Sequence, residues 1–110
     1  MTHTVTTQGK LQILVLSGEV DMHSSPAVRK AMLELIKLGA PIVVDLSAVK
    51  YMDSSGVATL VEGLQNAKKV GQAFVLAAPT GSVLGVIKLA RLDKVFRIVA
   101  SVAECGDLAA

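Results

Sequence analysis

The chain has 110 residues, of which 52% are hydrophobic, and it carries a formal net charge of +2 at neutral pH. This length and apolar content predict one globular domain with ample material for a core. Aromatic residues make up only 3% of the chain, and its eleven Lys and Arg residues are scattered along the sequence. These features exclude the stacking surfaces and basic patches of most nucleic-acid binders, so we expect no direct nucleic-acid ligand.

The N-terminal segment lacks both the basic start and the apolar run of a secretory signal. No stretch of the sequence approaches eighteen consecutive apolar residues, the minimum expected for a membrane-spanning helix. We therefore expect a cytoplasmic protein without membrane insertion. The single cysteine, Cys105, cannot form an intramolecular disulfide or supply a cysteine zinc cage, and we expect it to have a packing role.

Two strands are predicted at the start of the chain. Residues 11–17 partly alternate between apolar and polar side chains and lie between two glycines, and a weaker, Thr-rich strand precedes them. Together the two strands predict a hairpin. The segment 18–24 that follows is predicted to be a polar loop.

Helices and strands then alternate. Ser25 and Pro26 have the order of a cap followed by a first-turn proline, which predicts a helix that ends near Gly39. A short buried strand over residues 41–46 precedes a second helix, whose apolar positions recur at helical spacing: Val57, Leu60, Val61, Leu64 and Ala67. A strand over residues 73–78 and a third helix after Pro79–Ser82 follow. This alternation predicts a mixed α/β domain with parallel strands.

The most informative segment is Tyr51-Met52-Asp53-Ser54-Ser55-Gly56-Val57-Ala58, because it places two adjacent hydroxyls where a buried strand leads into a helix. The first N–H groups of a helix lack intrahelical partners, and the helix dipole favours negative charge there. A phosphoserine could be held at such a position. On the local pattern alone, the alternative is that Asp53, Ser54 and Ser55 simply cap the helix.

The segment Val44-Asp45-Leu46-Ser47-x-Val49-x-Tyr51-Met52-Asp53-Ser54-Ser55-Gly56-Val57 resembles the signature of anti-sigma factor antagonists, in the STAS domain family. The resemblance extends to Leu16-Ser17-Gly18-Glu19-Val20-Asp21 and to Leu92-Asp93-Lys94-Val95-Phe96-Arg97-Ile98, and so covers nearly the whole chain. It implies a single STAS-type α/β domain over residues 1–110. Such a domain has a small mixed sheet of four to five strands, mostly parallel at its core, with about four helices packed against it.

The resemblance also implies a function, that of an anti-sigma factor antagonist and not of an enzyme. The unphosphorylated form would bind an anti-sigma factor that is also a serine kinase, and so free a sigma factor. In the family the second serine of the Asp-Ser-Ser-Gly motif is phosphorylated, which corresponds here to Ser55, and a PP2C-type phosphatase is expected to reset the switch. The expected partner-binding residues are Asp21, Met22, His23, Ser24, Asp53, Ser54, Ser55, Gly56 and Val57. One departure from the family is Arg91, where members often have glycine or a small residue.

Other kinds of site have little support in the sequence. Glu19, Asp21 and His23 occupy alternate positions of one loop, but no cluster elsewhere supplies further metal ligands. Neither serine of the motif lies in a Gly-x-Ser-x-Gly elbow, and the two histidines of the chain suggest no general base. Gly81 and Gly85 begin the third helix in the manner of a phosphate-binding loop. The Lys-Ser or Lys-Thr pair that would contact nucleotide phosphates is missing after them. We therefore expect no metal, no cofactor and no active site.

The third predicted helix is apolar over most of its circumference. One interpretation is that it lies deep between the sheet and its neighbours. The other is that its outer face, which includes Leu84 and is rimmed by Lys88 and Arg91, docks a partner or a second copy in a weak homodimer. This second interpretation supports an alternative function, a STAS interaction module that is not phosphorylated, such as the accessory subunit of a lipid-transport ABC complex.

Overall fold

The structure, a computed structural model, describes residues 1–109. Its strands are β1 (Thr2–Gln8), β2 (Leu11–Val20), β3 (Ile42–Met52), β4 (Phe74–Ala77) and β5 (Arg97–Val99). Its helices are α1 (Ser25–Lys37), α2 (Ser54–Lys69), α3 (Gly81–Leu89) and a short α4 (Gly106–Ala109), which follows a 3-10 turn over Val102–Cys105.

The five strands form one sheet in the order β1-β2-β3-β4-β5. β1 is antiparallel to β2, and every later pair of neighbours is parallel. Crossovers between parallel neighbours are almost always right-handed. Because the strands advance across the sheet in one direction, these crossovers place α1, α2 and α3 on the same face. The predicted fold, a mixed sheet with mostly parallel strands and helices packed against it, is confirmed.

The sheet separates two hydrophobic clusters. The larger lies under the three long helices, and the smaller lies on the opposite face, where the C-terminal segment covers it. Cys105 is fully buried in the smaller cluster, and this burial raises the pKa of its thiol. The predicted packing role of Cys105 is confirmed, because a buried thiol with a raised pKa is a poor nucleophile.

Strands β2 and β3 are longer than the sequence pattern predicts. The predicted strands ended at Ser17 and Leu46, but β2 continues to Val20 and β3 to Met52. The extra residues pair with each other, from Gly18 opposite Val49 to Val20 opposite Met52. The prediction that the polar loop begins at residue 18 is therefore wrong. Each extension is stabilised by a partner about thirty residues away in sequence, which a local pattern cannot reveal.

Helices α2 and α3 end in the same way, with one residue in the left-handed conformation. At the end of α2 this residue is Gly71, with φ 70°, and at the end of α3 it is Arg91, with φ 61°. In each case the next N–H donates back into the last turn, from Gln72 to Ala67 and from Leu92 to Ile87. Both ends are Schellman motifs, but only the first has the glycine that this conformation favours.

We expect the substitution Arg91→Gly to stabilise the domain by about 0.5–1 kcal/mol, because it relieves left-handed strain that exceeds the added entropy of the unfolded chain. The matched variant Gly71→Ala should destabilise it by about 1 kcal/mol, since a β-carbon there meets nothing within 4 Å and only the backbone conformation is affected. Urea denaturation measures both. Destabilisation by Arg91→Gly would contradict the strain and indicate that the arginine side chain makes a necessary contact.

Candidate functional site

Helix α2 begins directly where β3 ends, and Asp53 is its N-cap. One carboxylate oxygen of Asp53, Oδ1, accepts hydrogen bonds from the N–H of Ser55 at 2.9 Å and of Gly56 at 3.2 Å. The capping role of Asp53 is confirmed. This cap uses a carboxylate and backbone groups, so it does not require the hydroxyls of Ser54 and Ser55.

The two adjacent serines line different depressions on the surface. Ser55 is half-buried in a groove between α1 and α2, of about 520 Å³, which we call the α1–α2 groove. Its other lining residues are Met22, Ser25, Pro26, Arg29, Ala58 and Thr59. Ser54 is exposed at the edge of a second groove, of about 590 Å³, which lies between α2 and α3 and which we call the α2–α3 groove. A charge added to one serine or the other therefore alters a different surface.

Asp21 organises the loop between β2 and α1. Its carboxylate oxygen accepts hydrogen bonds from the N–H of Ser24 at 3.1 Å and of His23 at 2.9 Å, and its own N–H donates to Ser24 Oγ at 2.9 Å. The hydrogen bond from the backbone of Ser24 is the main cause of a lowered pKa of Asp21. The ionised carboxylate thus holds the loop in shape. Ser24, one residue before the predicted cap Ser25, is the N-cap of α1.

The same loop places Met22 beside the motif serine. The side chain of Met22 is 68% exposed and lines the α1–α2 groove together with Ser55. His23 is exposed, and the carboxylate of Asp21 is engaged within its own loop. The structure therefore brings together two of the residues expected to bind a partner, Met22 and Ser55. Asp21 instead holds the shape of the loop that carries Met22.

Gly56 and Val57 are both buried. A β-carbon built on Gly56 would lie 2.6 Å from Met52 Cγ and 2.9 Å from the carbonyl oxygen of Val20. Gly56 therefore allows the start of α2 to pack closely against the ends of β2 and β3 in the same chain. Gly56 positions the start of α2, and the exposed surface around it comes from other residues.

The third helix is not enclosed on all sides. Val83 and Ile87 are fully buried and Leu84 is half-buried, whereas Leu89 is 86% exposed. Lys88 and Arg91 are exposed, as expected for a rim. The exposed apolar surface centres on Leu89 and continues across the α2–α3 groove, whose apolar lining is Val57, Ala58, Val61, Val86, Leu89, Ala90 and Leu92. The contribution of α2 was not predicted, because it depends on how the two helices pack.

The substitution Leu89→Glu should leave the free energy of unfolding within about 0.5 kcal/mol of its original value, since the side chain is already in solvent. The matched variant Ile87→Glu should lose more than about 4 kcal/mol, because it buries an unpaired carboxylate. Circular dichroism during urea denaturation distinguishes the two. Unfolding of the Leu89 variant would contradict an exposed outer face of α3.

Among residues 1–109, no three His, Cys, Asp or Glu side chains come together as ligands for a metal ion. No helix in this part of the chain is long and apolar enough to cross a membrane.

The sequence of this chain is similar to the STAS domain and to several anti-sigma factor antagonists. The family model of the STAS domain matches residues 3–105. The anti-sigma-F factor antagonist RsfB of Mycobacterium tuberculosis (strain H37Rv) is 31% identical over 101 residues, which cover 89% of this chain and 80% of that protein. An anti-sigma-B factor antagonist of Bacillus subtilis (strain 168) is 34% identical over 61 residues, or 56% of each protein, so this match spans just over half the length of that relative.

A solved structure of an anti-sigma factor antagonist has the same fold as this chain. The crystal structure of an anti-sigma factor antagonist from Mycobacterium paratuberculosis superposes on this chain with a TM-score of 0.88 at 27% sequence identity. The superposition covers 96% of this chain and 91% of that protein.

Proposed function

Because the chain belongs to the STAS domain family, we propose that it is an anti-sigma factor antagonist whose unphosphorylated form binds a cognate anti-sigma factor and frees a sigma factor. The proposal includes a switch, in which phosphorylation of Ser55 by that anti-sigma factor abolishes binding and a PP2C-type phosphatase restores it. The observation that carries the switch is the position of Ser55, in the α1–α2 groove beside the exposed Met22.

The local structure is suited to such a modification. Since the N-cap is the Asp53 carboxylate, the hydroxyl of Ser55 can be modified without loss of the capping hydrogen bonds. A phosphate adds about −1.5 to −2 charges at neutral pH, and negative charge is favourable at the start of a helix. The domain can therefore stay folded while its docking surface becomes strongly negative.

The test of this proposal is the intact mass of the protein purified from its own cells, growing and stressed, with any phosphate localised by fragmentation. A phosphate on Ser55 whose occupancy changes with condition supports the switch. Its absence under every condition, or its presence only on Ser54, would contradict it. Affinity capture with the unphosphorylated protein should retain the anti-sigma factor from the same cells.

The exposed Leu89 and the α2–α3 groove favour a second candidate function. In it, the domain is an interaction module that is not phosphorylated, such as the accessory subunit of a lipid-transport ABC complex, and α3 is its docking face. The same face would also serve a weak homodimer. Co-purification with a transport ATPase that is lost in Leu89→Glu, but is unaffected by Ser55→Asp, would support this candidate over the first.

A further inference from the structure

Arg29 lies on α1 and lines the α1–α2 groove together with Ser55. Its Nε donates to both carboxylate oxygens of Glu62 on α2, each at 2.8 Å. A guanidinium has five N–H donors, and this ion pair uses only the one on Nε. Within residues 1–109, the four donors of its two NH₂ groups make no hydrogen bond, so Arg29 retains most of its capacity to bind an anion.

The ion pair between Arg29 and Glu62 is easily exchanged. The side chains are 53% and 37% exposed, and an ion pair this accessible to water contributes little to stability. A phosphate offers more charge than a carboxylate, and three acceptor oxygens that match the planar fork of an arginine. A phosphate within reach of Arg29 therefore competes well with Glu62.

Arg29 borders two positions on α2, because it pairs with the carboxylate of Glu62 and lines the same groove as Ser55. Ser55 and Glu62 are seven residues apart, about two turns, so both lie on the side of α2 that faces α1, separated by about 10.5 Å along the axis. Between them the groove is lined by Ala58 and Thr59, neither of which is charged. Arg29 is the one charged residue among those that line this groove, so it is the cation that the groove offers to a phosphate on Ser55.

We propose that Arg29 is the intramolecular receptor for a phosphate monoester on Ser55, which it binds at the expense of its ion pair with Glu62. This inference rests on the proposed phosphorylation of Ser55. It also has a consequence for the α2–α3 groove, because Glu62 borders that groove too and is the one charged residue among those that line it. When Arg29 leaves Glu62 to bind the phosphate, no cation among the residues that line that apolar surface compensates the charge of Glu62. One modification thus changes both grooves.

The test uses the full chain with phosphoserine incorporated site-specifically at residue 55, so that no kinase is needed. The second ionisation of the phosphate is followed by ³¹P NMR as the pH is varied. In the protein with Arg29, the acid dissociation constant should be about three to ten times larger than in Arg29→Gln, because a nearby cation favours the dianion. Glu62→Gln should increase it further, since the carboxylate no longer competes for Arg29.

The matched control carries phosphoserine at residue 54, which borders the other groove, and there Arg29→Gln should have a much smaller effect. Arg29→Lys, which retains the charge, should recover part of the shift and shows that the fold tolerates substitution at this exposed position. Equal dissociation constants with and without Arg29 at position 55, or equal shifts at both positions, would overturn the inference. Because neither partner nor kinase is used, such a failure would leave the proposed binding switch standing.

Discussion

The substitution Ser55→Asp is expected to weaken binding to the cognate anti-sigma factor about a hundredfold. It places a second carboxylate close to Asp53, on a surface fitted to a neutral hydroxyl. An unpaired charge buried at an interface costs about 3 kcal/mol, and every 1.4 kcal/mol corresponds to a factor of ten in affinity. Ser55→Ala should bind about as tightly as the original protein and can no longer be switched off. Titration calorimetry with the purified partner measures both constants.

The matched control is Ser54→Asp. It adds the same charge one residue earlier, at the same helix start, but at the edge of the α2–α3 groove. It should therefore reduce affinity much less than Ser55→Asp. Equal binding by Ser55→Ala and Ser55→Asp would defeat the switch, and an equal loss in both aspartate variants would show that the partner responds to net charge alone.

The substitution Gly56→Ala is expected to destabilise the domain by at least about 2 kcal/mol, even though alanine is the better helix former. The added methyl would lie 2.6 Å from Met52 Cγ and 2.9 Å from the carbonyl oxygen of Val20. The methionine can move, but the backbone oxygen of β2 cannot move without disturbing the sheet. The start of α2 must therefore shift outwards, and Asp53 and Ser55 shift with it. Urea denaturation gives the change in unfolding free energy.

Gly85 offers the same substitution without the contact. It lies within α3, and a β-carbon there would meet nothing within 4 Å. Gly85→Ala should stabilise the domain by up to about 1 kcal/mol, because only the helix propensity changes. If both variants alter stability in the same direction, the close packing of Gly56 against β2 and β3 is not the reason for the glycine.

Several features of this site were predictable because they depend on residues close together in sequence. The cap at Asp53 satisfies N–H groups two and three residues further on. Hydrophobic spacing likewise indicated the face of α2 that packs on the sheet. Arg91 was noted as a departure from the family, but only the structure shows that it occupies the left-handed position at the end of α3.

Other features depend on the packing of distant segments and had no local signal. The extensions of β2 and β3 stabilise each other across the sheet. Adjacent serines line different grooves only because α1 packs on one side of α2 and α3 on the other. The ion pair of Arg29 with Glu62 joins residues that are 33 positions apart.

The sequence by itself determined the α/β order, the start of α2 at the Asp-Ser-Ser-Gly motif and the family resemblance, because periodicity, capping and motif spacing act over a few residues. The tertiary structure decided which surface each serine faces. It also decided that Gly56 packs closely against β2 and β3, and that Leu89 is exposed to solvent. The physical reason is that burial and side-chain pairing depend on which elements become neighbours in the sheet and on its helical face, and that arrangement arises only when distant segments pack together.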